Sequence, residues 1–249
     1  MDDMRLGGVI AHTFRLWKKL WLPIGILFVV PGFIGQLYTV KPDPAQGVLM
    51  AALFGGLLNA FLYCFVSAGA YQAASTAYHG NKSTMEEMFQ AMRKKGLKYI
   101  LAMAVMFVII MLCMAILFTP MFFILSKTNN SLVPVMVFSA LALVALAYVM
   151  ARYCFIFPVI SNENVSVRGS LKRSKELVKG ERWRILGYIS VVTIITMVPY
   201  LAASRLLASQ SQGVVMMVMI LLNCVVYSVA PIFYTVLYYS RKKLELVKA

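Results

Sequence analysis

Acid is almost missing from this chain: nine Asp and Glu stand against 24 Lys and Arg in 249 residues. The apolar runs hold no carboxylate at all. That removes the titratable groups that proton-coupled transport and intramembrane acid–base chemistry place within spans. Histidine is scarcer still, with only His12 and His79. They are far apart and lack an acid or Cys at ligand spacing, so they read as interface histidines rather than a metal site. Cys64, Cys113, Cys154 and Cys224 each fall inside an apolar run, with no CxxC or Cys/His spacing. They read as small packing residues, with no disulfide and no metal. The chain also lacks a Gly-rich phosphate loop, a nucleophile elbow and an HExxH helix. These absences predict a protein that is not an enzyme and carries no cofactor.

What is abundant is apolar surface. Hydrophobic residues make up 61% and charged residues 13%, with a mean hydropathy of +0.79. Soluble domains carry about 25% charged residues. Most of this chain must therefore face lipid or other lipid-embedded helices. The net charge of +15 invites a nucleic-acid reading. The bases, however, sit between apolar runs too long for a soluble fold, so anionic phospholipids of the cytoplasmic leaflet are the expected partner, and nucleic acid is not. Asp2 and Asp3 stand where a cleavable signal would carry positive charge, and no such signal is expected.

Periodicity and run length predict an all-α, polytopic membrane protein. Six spans are expected at about 20–39, 47–78, 97–126, 132–160, 184–208 and 214–239. Three cytoplasmic interfacial amphipathic helices are expected beside them. The first, 4–20, aligns Ile10, Phe14, Trp17 and Trp21 on one face, with both indoles at headgroup depth. The second, 83–96, opens on a capping box of Ser83 with Glu86, aligns Met85, Met88, Phe89 and Met92, and stops at Gly96. The third lies within 158–184, the longest polar interruption in the sequence. There Val167, Leu171, Ser174 and Val178 form a narrow stripe, bases cover the rest, and Gly180 ends the helix in the left-handed conformation. In the second span Gly56, Ala60, Cys64 and Ala68 recur every fourth residue, which allows close helix approach in lipid. Short polar turns fall around Lys41 to Pro44 and around Ser126 to Ser131.

The order is thus one interfacial helix and two spans, three times over. Leu57-Leu58-Asn59 with Tyr63 is echoed by Leu221-Leu222-Asn223 with Tyr227, an offset of 164 residues, and half of that is a plausible repeat length. Tyr148 falls near the midpoint. A three-fold internal repeat is expected, with units of about 4–80, 83–160 and 163–247 inside a single integral membrane domain, 1–249. Twenty of the 24 bases lie in the N-terminal segment, the two long loops and the C-terminal tail; the others are Lys41, Lys127, Arg152 and Arg205. The positive-inside rule then puts both termini and all three amphipathic helices in the cytoplasm.

Candidate site residues follow from these placements. Lys172, Arg173, Lys175, Lys179 and Arg182 are the basic surface of the third amphipathic helix and its exit. Arg152 lies within the fourth span, about 15 Å along a straight helix from the polar boundary at Asn162. No acid in a span can neutralise it. Its expected partners are carbonyls freed near Pro199 or Pro231, Asn or Tyr side chains of facing helices, or a lipid phosphate held bidentately. Asn59 and Asn223, near mid-depth, and Pro231 are the polar and backbone irregularities of the spans. The first two read as interhelical hydrogen-bonding residues.

A resemblance covers nearly the whole chain. Pro158, Glu163, the run Ser170-Leu-Lys-Arg-Ser174, Leu177, Lys179-Gly180 and Trp183 resemble a junction in a bacterial six-span family. So does the closing stretch from Pro231 through Tyr238 and Tyr239 to Arg241. That family is related to the membrane domain found ahead of some glycerophosphodiester phosphodiesterases, and it includes stand-alone inner-membrane proteins. Arg152 matches a feature of that family; Ser240 stands where the resemblance implies Asp. No phosphodiesterase is expected within these 249 residues, since its barrel would need about 250 of its own and the six expected spans use this chain up. The resemblance implies the architecture and a bacterial cytoplasmic (inner) membrane location. The expected function is a non-enzymatic protein that binds phospholipid and supports envelope organisation or assembly, with protein partners in the membrane. The alternative is a small transporter, permease or lipid-moving protein, motivated by the repeat and the mid-span prolines.

Overall fold

The computed structural model describes residues 6–39, 48–125, 132–207 and 210–248, with side chains described at 6–35, 55–119, 136–207 and 210–245. The expected turns at 41–44 and 126–131 lie outside the described residues. Among the described residues every regular element is an α-helix. They are α1 (Leu6–Thr39), α2 (Val48–Tyr78), α3 (Met85–Leu125), α4 (Leu132–Tyr153), α5 (Ile156–Glu163), α6 (Val167–Val178), α7 (Arg182–Leu206), α8 (Gln212–Tyr227) and α9 (Val229–Lys248). Six stretches are long and apolar enough to cross a membrane: Leu6–Gly35, Gly55–Tyr78, Met85–Thr119, Met136–Glu163, Arg182–Leu206 and Gln212–Glu245.

The main core gathers around α1, which packs on α2, α8 and α9. Val9, Leu16, Leu20, Ile24 and Phe28 form its buried side. The expected stripe runs beside this face rather than along it. Phe14 and Trp21 are exposed, and the Trp17 indole donates to Ser228 Oγ at 2.9 Å. A second cluster joins α2, α3, α4 and α5 through Cys64, Ala68, Tyr99 and Ile156. By contrast α3, α4 and α7 turn large apolar side chains outward, among them Ile116, Leu143 and Leu201. In water such a surface would be an aggregation liability; against hydrocarbon it is neutral.

Several boundaries differ from expectation, each for a local reason. The amphipathic segments at 4–20 and 83–96 are not separate helices, because α1 and α3 run straight from them into the spans. Gly96 does not stop its helix. It lies inside α3 because the Phe65 ring packs on it; an added Cβ would sit 2.4 Å from Phe65 Cδ2. The capping box is one residue later: Glu87 N donates to Thr84 Oγ1 at 3.2 Å and Thr84 N to Glu87 Oε2 at 3.3 Å. Of the stripe on this segment, Met88 and Met92 are buried while Met85 and Phe89 are exposed. The fourth span is not one helix but two, α4 and α5, parted at Cys154–Phe155. The sixth is also two, α8 and α9, parted at Ser228. Pro231 stands in the first turn of α9, where a missing N–H costs no helical bond. It is therefore not a source of freed carbonyls within a continuous span.

Candidate functional site: a basic cleft and the junction behind it

The short helix α6 is placed by its own ends. Ser166 is its N-cap, with its hydroxyl accepting from Gly169 N at 3.2 Å. Gly180, at φ +86°, ends it in the left-handed conformation as expected, because a side chain is strained there. Ser170, Ser174, Leu177 and Val178 are buried, and Val167 and Leu171 pack at the edge. Lys172, Lys175 and Lys179 are exposed. Arg173 is not part of that free surface. Its guanidinium lies 2.6 Å from Glu245, 3.4 Å from Glu163 and 3.6 Å from Glu176. Burial alone would lower its pKa, but the hydrogen bond to Glu245 and the charges of Glu245, Glu163 and Glu176 raise it instead.

Behind α6 lies a polar junction that binds α9 to the rest. Tyr238 donates to Glu163 at 2.7 Å, and Lys242 pairs with the same carboxylate at 3.3 Å. Tyr239 donates to Asn162 Oδ1 at 2.8 Å, stacks on Tyr78 with ring centroids 4.4 Å apart, and touches Ser75 Oγ at 2.8 Å. Arg241, buried, donates from Nε to the Leu177 carbonyl at 2.9 Å and so satisfies the last turn of α6, the end that favours a cation. Ser240, where the resemblance implies an acid, bonds only its own helix at Val236 O.

The break between α4 and α5 sets the position of Arg152. A helix end leaves carbonyls and N–H groups without partners. Here the Ser174 hydroxyl fills the gap, accepting from Phe155 N and donating to Arg152 O, each at 3.2 Å. Arg152 is thus in the last turn of α4, and the straight-helix depth reckoned from Asn162 does not apply. Its Nη1 donates to Tyr148 Oη at 3.1 Å. That partner is one turn back on its own helix, not a carbonyl near Pro199 or Pro231 and not a facing helix. Arg182, opening α7, donates to the same Tyr148 oxygen at 3.3 Å. Both guanidinium carbons lie over the Tyr148 ring, at 5.8 and 5.7 Å from its centroid. Neither arginine forms an ion pair among the described residues, and Arg152 Nε is buried without a hydrogen-bond partner.

These three side chains close one end of a groove of about 730 Å³ between α3, α4 and α7. The rest of its lining is nearly all apolar, including Ile109, Leu117, Leu141, Val144 and Leu186. From Leu141 to Arg152 the groove follows α4 for about 16 Å at 1.5 Å per residue. One leaflet of hydrocarbon is about 15 Å deep, half of ~30 Å. Trp183, at 79% exposed, stands at the same end as the arginines. The structure therefore divides the predicted basic set. Arg152 and Arg182 come together, Lys172, Lys175 and Lys179 face outward, and Arg173 is spent internally. Tyr148, which joins the two arginines, stood out in the sequence as a repeat midpoint and as a marker of the depth of Arg152, not as its partner. Its i, i+4 spacing to Arg152 was the available signal.

Asn59 and Asn223 also come together, far apart as they are in the chain. With Tyr63, Tyr200 and Tyr227 they line a second cavity, of about 340 Å³, against Pro31, Gly32 and Gly35 of α1. Tyr200 donates to Asn223 Oδ1 at 2.5 Å, while Asn59 Oδ1 is buried without a partner.

No curated protein and no solved structure matches the chain. Residues 20–241 match the family described as Domain of unknown function (DUF7847). The matched stretch runs from within α1 to Arg241 and takes in the groove, α6 and the polar junction. On that match the chain belongs to the DUF7847 family.

Proposed function

We propose that this is a non-enzymatic membrane protein that binds an anionic phospholipid in the groove between α3, α4 and α7. The observation that carries this is the pair Arg152 and Arg182, sharing one tyrosine and no carboxylate, at the end of an apolar groove one leaflet long. Two guanidiniums so close repel unless an anion lies between them. A phosphate accepts from planar guanidinium forks and would supply that charge. The apolar lining takes the acyl chain, and Trp183 anchors at headgroup depth.

The wider placement is part of the same proposal. The bases at the polar end lie at the cytoplasmic face of a bacterial inner membrane, with both termini on that side. There α6 and the flanking segments lie at the surface and meet anionic headgroups. The three-fold repeat and the kinship with phosphodiesterase-linked membrane domains belong to this reading too, as does a role in envelope organisation with membrane protein partners. The transporter alternative has one observation in its favour, the polar cavity beside Asn59 and Asn223.

The test is native mass spectrometry of the purified protein. Wild type should retain phospholipid, and both Arg152→Gln and Arg182→Gln should lose it while remaining folded. Arg152→Lys keeps the charge but not the fork, and should lose lipid as well. Equal retention in all three variants would sink the reading.

A further inference from the structure

We infer that the cavity between α1, α2, α7 and α8 is a second binding site, for a small uncharged polyhydroxy compound. The site is built by the sequence echo. Asn59 with Tyr63 on α2, and Asn223 with Tyr227 on α8, occupy matching positions in the repeated segments, and both pairs line one cavity. Each Asn stands 11 residues from the start of its helix, at Val48 and Gln212, about 16 Å along the axis. Two polar amides are thus held at equal distances from the starts of their helices.

The third wall comes from α1 and is bare. Gly32 and Gly35 leave room for the amides; a Cβ at Gly35 would stand 2.9 Å from Asn59 Nδ2. Pro31 on the same wall cannot give the Leu27 carbonyl its helical N–H. Polar groups at this depth need an internal partner. Asn223 has one in Tyr200, but Asn59 Oδ1 has none. An occupant must therefore donate a hydrogen bond.

The lining decides its class. Among the described residues no Lys, Arg, Asp or Glu lines the cavity, so a charged occupant would find no counter-ion on these walls. Tyr63 and Tyr227 meet edge to face, with centroids 4.9 Å apart, and offer ring surface to C–H groups. Amides for hydroxyls and ring faces for carbons suit a polyol. At about 340 Å³ the cavity holds far more than one water, which takes roughly 30 Å³ in the liquid.

Saturation-transfer NMR on the full protein in detergent, with glycerol as the probe and glycerol-free buffers, tests this. Wild type should transfer saturation to glycerol. Asn59→Leu and Asn223→Leu should reduce that transfer at least threefold. Gly32→Ala is the variant that keeps the fold, since its Cβ would meet Asn223 Cβ at an ordinary 3.6 Å. It narrows the cavity and should reduce the transfer as well. Arg152→Gln shares no lining residue with this cavity and should leave the signal unchanged while losing lipid, which separates this site from the groove. No transfer in wild type, meaning a cavity that holds water only, would overturn the inference. So would transfer that persists undiminished in Gly32→Ala and in whichever Asn variants melt like wild type.

Discussion

The hydroxyl of Ser174 donates to the carbonyl of Arg152 across 3.2 Å, while it accepts from Phe155 N at the same distance. A side chain on α6 thereby replaces two bonds that a continuous fourth span would make for itself. It also ties the basic helix to the residue at the mouth of the groove.

Ser174→Ala should leave a buried donor and a buried acceptor without partners. Each such orphan costs roughly 1–3 kcal/mol. A lowered melting temperature in detergent, with helical content retained, is the expected outcome. An unchanged melting temperature would mean that the break is held by packing alone.

Gly96→Ala should force the Phe65 ring to move, because the new Cβ would meet its Cδ2 and Cε2 at 2.4 and 2.6 Å. Overpacking of this kind costs about 1–3 kcal/mol. Phe65→Leu opens the same space, so the double variant should recover part of the loss, and thermal denaturation of the four proteins reads that coupling. Strict additivity would show that Gly96 and Phe65 do not compete for one volume.

Lys172, Lys175 and Lys179 should bring α6 to anionic membrane. Each base near such a surface is worth about 1 kcal/mol, screened by salt. Replacing all three with Gln should cut co-purifying anionic lipid, and raised salt should mimic the change. Arg173→Gln should act differently, lowering stability, because that side chain holds Glu163 and Glu245 together. Unchanged retention in the triple variant would leave α6 as a topological signal only.

Orientation is open to thiol labelling. In a background without the four native cysteines, Asn129→Cys should react with an impermeant reagent in intact cells. Gln90→Cys, on the exposed side of α3, should react only after lysis. The reverse pattern would invert the topology drawn from charge.

The spans were legible because run length and hydropathy depend on each segment alone. So was the end of α6, since Gly180 carries its own conformational reason. What escaped depended on residues remote in the chain. Nothing local marks the break at Cys154–Phe155, because the hydroxyl that stabilises it comes from α6. Gly96 looked like a stop signal until Phe65 filled its space. Arg173 looked as free as Lys172, yet Glu245 lies 72 positions away and takes it. At the site, Arg152 stood out by its cost in hydrocarbon. Its neighbour Arg182 was legible only as one more base, and the tyrosine that joins them was not marked as their partner.

The polar junction also bears on the order of biosynthesis. Chains emerge from the ribosome N-terminus first, at about 5–20 residues per second. Tyr238, Tyr239 and Arg241 are therefore made after every segment they secure: Ser75 on α2, Asn162 and Glu163 on α5, and the last turn of α6. Until α9 arrives, Glu163 lacks its tyrosine and the carbonyl of Leu177 lacks its guanidinium. A nascent chain stalled before residue 238 would hold most of its spans without the fastening between them. Membrane proteases that sample incomplete chains would find that intermediate the most exposed to cleavage, and protection would come late and together.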